Sequence, residues 1–349
     1  MRASTPMVSI CVPNLNTRAF LEERFESIFK QTFGDWELVV VDNFSEDGAW
    51  DFFRTQADRD SRMRISQAPR EGMYANWNNC IREARGEYVY IATSDDTMTP
   101  DCLEKLVAAL DQHPDCGIAH CCLTFIDEKS QPILTGHCWG NHSTTLFMGE
   151  WNKKQHVRPR GHDTVMALGL KTPYYSITQI LVRRTLFDEV GLFENHWGSF
   201  GDLEWQMRAS LATKTVHIPE YLATWRIHPQ QASQLDRYQN AVREGLYLDM
   251  AETVIRFSQA HNLPFQGGLP KRLRRFYWNE CIKARLRAEP KYHRKFGVLL
   301  KSLSFGPALI AQAAQRLCRR QISGKDGDIP NDVRKELSRL GLDNVLPEK

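Results

Sequence analysis

The sequence lacks several features that would each decide its class. None of its nine cysteines stands in C-x-x-C spacing. Cys11 and Cys80 lie inside apolar runs, where a thiol behaves as a small hydrophobe, so a disulfide scaffold is excluded and a reducing compartment is expected. No stretch reaches the ~18 to 20 uninterrupted apolar residues of a membrane-spanning helix; the best, residues 296–314, is interrupted by Lys301, Gly306 and Pro307. A Gly-rich phosphate loop and internal repeats are also missing, and nothing in the composition suggests disorder or collagen. Residues 1–7 contain no apolar core of a leader peptide, so the chain is expected to begin in the cytosol.

What is present suits a globular α/β protein: 349 residues, 42% of them hydrophobic, enough for one large domain with an appended segment. The formal charge of +3 hides an asymmetry, because residues 270–320 hold 14 Lys and Arg against 2 acids while residues 1–269 hold 26 against 34. Between Lys271 and Lys301 the basic residues alternate with Phe276, Tyr277, Trp278, Ile282, Leu286 and Phe296. Such a helix could lie on an anionic membrane surface, which would make the protein cytoplasmic but peripheral on the inner face of the membrane. The alternative is a solvated face packed on the rest of the chain. No nucleic-acid module is legible, so no nucleic-acid partner is expected.

Along the chain, Val8 to Val12 reads as a buried strand running into Pro13-Asn14, residues 20–31 have helical spacing, and Trp36 to Val41 is a second strand stopped by the polar cluster beginning at Asp42. The unit repeats with a helix from Tyr74 to Ala84, a strand from Tyr88 to Ala92, and a helix from about Pro100 to Leu110, with Pro100 in its first turn. This alternation predicts a mostly parallel, Rossmann-like sheet flanked by helices. Ligands of such sheets bind outside the carboxyl ends of the strands, which here deliver Pro13-Asn14, Asp42-Asn43 and Ser94-Asp95-Asp96. Residues 135–175 show no clean period and read as a long irregular loop region. Ser176 to Val182 resumes strand character, Thr185 to Val190 and Leu203 to Leu211 read as helices, and the pattern turns helical from about Asp236.

Adjacent carboxylates at a sheet edge repel unless a cation offsets them. Mg²⁺ and Mn²⁺ take one or two carboxylates plus substrate phosphates, which matches Asp95-Asp96; a solvated turn opening the next helix is the plainer alternative. Asp42 could accept from the N3–H of uracil or from another base, or could form an Asx-turn.

The ordered blocks Val8-Ser-Ile-Cys-Val-Pro-Asn-Leu-Asn16, Ser27-Ile28, Gln31-Thr32-Phe33, Trp36 to Gly48, Gly72-Met-Tyr-Ala-Asn76 and Ala84 to Asp96 resemble the start of family 2 glycosyltransferases, and the resemblance runs over roughly residues 7–235. It implies a GT-A fold for 1–235, with a donor half at about 1–115, an acceptor half at about 116–235 and a helical C-terminal segment over 236–349. It also implies an inverting transferase using a nucleoside diphosphate sugar, UDP or dTDP type favoured, and a divalent metal, Mn or Mg. The acceptor would be a glycan or lipid-linked, in surface polysaccharide biosynthesis.

Residue by residue, the resemblance puts Pro13, Asn14, Asn16, Asp42, Arg70, Asn76, Ser94 and Asp95 at the donor. Asp96 and His228, the latter in Trp225-Arg-Ile-His-Pro-Gln-Gln231, would ligate the metal; Arg226 could face phosphate instead. Asp202, in Gly198-Ser-Phe-Gly-Asp-Leu-Glu204, would be the base that deprotonates the acceptor hydroxyl, or simply the helix N-cap, with Glu204 as the fallback base. Two departures matter: Thr93 stands where many members have an Asp, and Gly201 where they have a Glu. They motivate the rival reading of a catalytically lapsed nucleotide-sugar-binding scaffold. On composition alone Trp151, Arg158, Tyr175 and Gln179, together with His156, His162, Tyr174 and Ser176, are expected at the acceptor.

Overall fold

A computed structural model describes residues 5–134, 143–170, 174–229, 231, 249–250, 252–259, 329–343 and 346–347. Val8–Asn14 (β1) and Trp36–Asp42 (β2) are buried along their whole length, as mainly apolar strands covered on both faces are; the polar Ser9 and Glu37 within them hydrogen-bond each other at 2.6 Å. Each feeds a helix, Arg18–Phe29 (α1) and Ala49–Ala57 (α2). The alternation continues through Met63–Gln67 (β3), Met73–Glu83 (α3), Tyr88–Ile91 (β4), Cys102–Gln112 (α4) and Cys116–Ile126 (β5). After these come Ser143–Met148 (α5), His156–Arg158 (β6), His162–Leu170 (α6), Ile180–Arg183 (β7), Thr185–Val190 (α7), Gly201–Ala212 (α8), Lys214–Arg226 (β8) and the short Leu346–Pro347 (β9).

The strands form one sheet in the order β3-β2-β1-β4-β7-β5-β8-β6-β9. The first four are parallel, β7 is antiparallel to both its neighbours, and β5 and β8 are parallel. Successive units leave β1 in opposite directions, toward β2 and toward β4. That switch opens a crevice at the carboxyl ends of β1 and β4.

Side-chain alternation splits the core. Val8, Ile10 and Val12 pack with Leu21, Phe25, Leu103 and Leu106 of α1 and α4, while Cys11, Val39 and Val41 pack with Tyr74, Trp77, Phe187 and Trp205 of α3, α7 and α8. A third cluster joins α6 and α8 to the helix Ile329–Arg339 through Met166, Met207, Val333 and Leu337. Fully buried side chains of this kind contribute about 1.5–3 kcal/mol each.

Several expectations need correction. β1 continues through Pro13 to Asn14, in register with Val41 and Asp42, because the amide of Asn43 still donates to the Asn14 carbonyl at 2.9 Å. Pro100 lies before α4 rather than inside it, and its carbonyl accepts from Thr32. The region 135–175 is not one irregular loop: it holds α5, β6 and α6. The last is an apolar run without a polar stripe, since its described side chains are buried on all sides and burial removes the helical period. Ser176 opens a 3-10 turn, Ile177–Gln179, ahead of β7. The strands β3, β5, β6 and β8 were not anticipated. The basic segment 270–320 and most of 236–349 lie outside the described residues. No helix among the described residues is long and apolar enough to cross a membrane.

Candidate active site

The loops after β1 and β2 are tied together by Asn14, Asp42 and Ser45. Asn14 Nδ2 donates to Asp42 Oδ1 at 2.8 Å and to Ser45 Oγ at 3.0 Å. Asp42 Oδ1 also accepts from Ser45 Oγ at 2.5 Å, while its Oδ2 accepts from the Ser45 amide at 2.9 Å and from Gln67 Nε2 at 3.3 Å. Asp42 is therefore fully buried and accepts four hydrogen bonds. This is the Asx-turn alternative, and a nucleobase could reach the carboxylate only by displacing a donor. Asn16 adopts a left-handed backbone, φ 53°, with its amide on Ser45 Oγ and its Oδ1 accepting from the Glu46 amide. Phe44 shares that conformation, also φ 53°. Non-glycine residues there store strain, which concentrates at functional sites.

Arg70 braces the second loop, donating to the carbonyls of Asn43 and Phe44 and to Glu46. Asn76, on α3, donates to the carbonyls of Val41 at 2.9 Å and Asn14 at 3.3 Å, so α3 is anchored to the ends of both strands.

At the end of β4, Ser94 is buried beside Asp96. Thr93 Oγ1 donates to Asp96 Oδ2 at 2.5 Å, and the Arg226 amide donates to Oδ1 at 2.7 Å. Burial above all, and then the neighbouring Asp95, pushes the Asp96 carboxyl up to about 7. Asp95 is more open, and its Oδ2 meets His228 Nε2 at 3.0 Å. The expected pairing is thus corrected: Asp95, not Asp96, faces His228, because Asp96 is turned toward Thr93 and β8.

Arg226 is also not a phosphate ligand here. Its guanidinium is buried and donates to the Asp95 carbonyl at 2.7 Å, the Asp127 carbonyl at 3.1 Å, Ser130 Oγ at 2.8 Å and Glu23 Oε2 at 2.7 Å. Among the described residues no three His, Cys, Asp or Glu side chains form a metal-holding group. Asp95 with His228 is nonetheless a donor set that fits a hard cation completed by substrate phosphates.

Asp202 opens α8. Its Oδ1 accepts from the Tyr74 hydroxyl at 3.0 Å and from the Leu203 amide at 2.8 Å. Burial pushes its carboxyl up to about 6 against the pull of those donors. Glu204 is fully buried and closed on Arg208, with Nε–Oε1 at 2.6 Å and Nη2–Oε2 at 2.8 Å. Arg208 in turn donates to the carbonyls of Val190 and Leu192. Glu204 is therefore a structural ion-pair residue, which corrects its expected role as a fallback base.

Six of the eight residues expected at the acceptor are buried structural residues: Tyr174 and His162 bond Asp163, His156 Nδ1 lies 2.9 Å from the Lys154 carbonyl, Ser176 caps the 3-10 turn ahead of β7, and Arg158 and Gln179 complete the six. Arg158 is buried against Asp163, at 2.6 and 3.2 Å. Gln179 closes the capping box with Ser176 and donates to Cys121 O at 2.8 Å. Tyr175 packs on Trp225, ring centroids 4.6 Å apart, and Trp151 is 37% exposed above His156.

The edge thus gathers Pro13, Asn14, Asn16, Asp42, Arg70 and Asn76 at one place and Asp95, Asp96 and His228 beside them. Asp202 joins through α3 rather than by direct contact. Sequence reasoning did not single out Ser45, Tyr74 or Glu23, although Ser45 and Tyr74 lie in the blocks that carry the resemblance, and it read Thr93 only as a departure and not as a partner of Asp96.

An Asp-bearing edge at the switch point of this sheet is the architecture of a GT-A glycosyltransferase. The description Glycosyl transferase family 2 matches residues 9–191; the chain belongs to that family. EpsH of Bacillus subtilis (strain 168) is 26% identical over 259 residues, 74% of this chain and 71% of that protein. The O-antigen biosynthesis protein RfbC of Myxococcus xanthus is 28% identical over 222 residues, 62% of this chain but 16% of that protein, and the uncharacterized glycosyltransferase EpsJ of B. subtilis is 31% identical over 108 residues, 31% of each chain. Among solved structures, S. aureus TarS 1-349 in complex with UDP-GlcNAc superposes with TM-score 0.62 at 15% identity, over 98% of this chain and 96% of that one. The mannosyltransferase PcManGT from Pyrobaculum calidifontis, in complex with GDP-Man and Mn²⁺, gives 0.53 at 17%, over 97% and 85%.

Proposed function

We propose that this glycosyltransferase moves a sugar, with inversion, from a nucleoside diphosphate donor to a glycan or lipid-linked acceptor in surface polysaccharide biosynthesis. The observation that carries the reading is the grouping, at one sheet edge, of the Asp95–His228 pair and the braced β1 and β2 loops, with the Asp202 carboxylate held to the same loops by α3. Binding of UDP-GlcNAc by TarS and of GDP-Man with Mn²⁺ by PcManGT supports a nucleotide-sugar donor and a divalent metal. RfbC supports the biosynthetic setting.

The loops of Asn14, Asn16 and Asp42 hold the nucleoside end. Asp95 and His228 would hold the cation, which when bound neutralises the departing diphosphate. Asp202 takes the proton of the acceptor hydroxyl as its oxygen bonds to the anomeric carbon; the bond from that carbon to the diphosphate breaks on the opposite face, and the leaving group carries the electron pair. A carboxylate raised to about 6 is still largely ionised at neutral pH and is a stronger base than an ordinary one.

Against the scaffold alternative, neither departure leaves a void: Thr93 bonds Asp96 directly and Tyr74 fills the space at Gly201. The test is release of nucleoside diphosphate from UDP-, dTDP- and GDP-sugars with Mn²⁺ or Mg²⁺ and an acceptor extract. Release with at least one donor is expected; donor binding without release would favour the scaffold.

A further inference from the structure

The two oxygens of the Asp202 carboxylate are not equivalent. Oδ1 receives the Tyr74 hydroxyl and the Leu203 amide, and among the described residues no other side chain donates to this carboxylate. Tyr74 is 2% exposed. Its ring lies against Phe193 at 5.7 Å, nearly parallel, and edge-on to Trp77 at 5.0 Å. On its third side is the backbone of Gly201: a Cβ there would lie 2.5 Å from Tyr74 Cε2 and 2.8 Å from the Glu194 carbonyl. No side chain fits at 201 while the ring is in place.

The separation of α3 from the segment leading to α8 is fixed independently of this pair. Asn78 Nδ2 donates to the Phe193 carbonyl at 2.8 Å, and the Phe193 amide returns to Asn78 Oδ1 at 3.1 Å. Asn195 accepts from the Ala75 amide at 2.9 Å and donates to the Glu71 carbonyl at 3.0 Å. The hydroxyl is thus delivered to Asp202 by a frame with little freedom, and the same helix holds the ends of β1 and β2 through Asn76.

We propose that Tyr74 is the positioning residue of the base Asp202: its hydroxyl fixes one carboxylate oxygen so that the other faces the acceptor, and Gly201 is present because this ring occupies the volume of a side chain. The proposal rests on the reading of Asp202 as the base. The charged groups around Asp202 are Glu71 ahead of α3, the exposed Glu194–His196 pair at 3.2 Å and, one turn along α8, the closed Glu204–Arg208 pair. None of them hydrogen-bonds Asp202, which leaves Tyr74 as the side chain that favours its charged form.

Tyr74→Phe keeps the ring and removes only the donor. Infrared difference titration of the protonated carboxyl band, assigned with Asp202→Asn, needs no substrate. The midpoint is expected to rise by about one pH unit in Tyr74→Phe, as loss of a hydrogen bond to the charged form dictates. With UDP-GlcNAc and GDP-mannose as probes, the acid limb of donor turnover should rise with it, kcat should fall about 10-fold, and KM for the donor should hold, since the base acts only as the acceptor proton moves. Gly201→Ala, which pushes the ring aside, should give the same midpoint shift. A midpoint and acid limb that stay put in Tyr74→Phe, even with altered thermal stability, overturn the proposal and leave Tyr74 a packing residue. If instead Asp202→Asn keeps turnover, it is the base reading itself that fails.

Discussion

Replacing Arg226 by Met should cost this protein much of its stability and loosen the Asp95–Asp96 turn. The guanidinium is 1% exposed and donates four hydrogen bonds, two to main-chain carbonyls, one to Ser130 and one to Glu23. It also sits over the Phe20 ring at 5.1 Å. Met fills similar volume, so the loss is polar rather than a cavity. Orphaning the Asp95 and Asp127 carbonyls costs about 1–3 kcal/mol each. The Glu23 carboxylate is 44% exposed on its side chain, so water rescues it and that ion pair contributes at most about 1 kcal/mol. The sum is roughly 2–7 kcal/mol, which brackets the ~3–5 kcal/mol typical of breaking a buried charged network. Urea denaturation at equal m-value reads it directly. Arg226→Lys should recover less than half, because an ammonium cannot serve four acceptors in a planar fork. A loss below about 1 kcal/mol would refute the claim that Arg226 ties β8 to the Asp95–Asp96 turn.

Two further outcomes follow from buried charge. Glu204→Gln should destabilise by about 3 kcal/mol because Arg208 loses its buried counter-ion, yet the folded variant should keep pH-dependent turnover. Loss of turnover at full occupancy of the folded state would return Glu204 to the list of bases. The rings of His120 and His217 meet at Nδ1–Nδ1 2.9 Å, His217 Nε2 lies 3.2 Å from Asn152 O, and His120 Nε2 lies 3.2 Å from Gln179 Nε2. The run closes with both rings neutral, His120 donating to His217. Burial holds both well below the ordinary histidine range, with Arg158 adding to it, and brings His156 to about 3. Below pH ~6.5 the unfolded chain therefore binds protons at these rings that the folded one does not, a loss of up to about 1.4 kcal/mol per histidine per pH unit that the raised Asp96 and Asp202 carboxyls, protonated first in the folded state, only partly offset. A melting temperature flat between pH 7 and 5 would contradict this.

Most of the donor half was legible because β1, β2 and β4 are buried on both faces and end in or run into polar residues, so Val8–Asn14 and Trp36–Asp42 announce themselves without long-range information, whereas the half-buried β3 does not. Strands β5 and β8 were not, although β5 is almost wholly apolar: its run Cys116–Ile126 contains small and sulfur-bearing residues that fit a helix as well, and Pro219 sits where the β5–β8 register shifts. At the site, residue types pointed to the right edge but not to the partners. Which of Asp95 and Asp96 faces His228 depends on Thr93 and on the Arg226 amide, a contact 130 residues away in sequence. Glu204, Arg158 and Gln179 looked like site residues because buried ion pairs and caps use the same side chains as active sites do. Only burial separates them.

The most direct measurement is a paired one on Asp202→Asn with Mn²⁺ present: nucleoside diphosphate binding by calorimetry and turnover of the nucleotide sugar that the wild type uses. Binding within about 2-fold of wild type with turnover down at least ~100-fold is the predicted result, because a general base contributes to the transition state and not to donor affinity. Turnover equal to wild type would contradict it and move the acceptor's base elsewhere on the sheet edge.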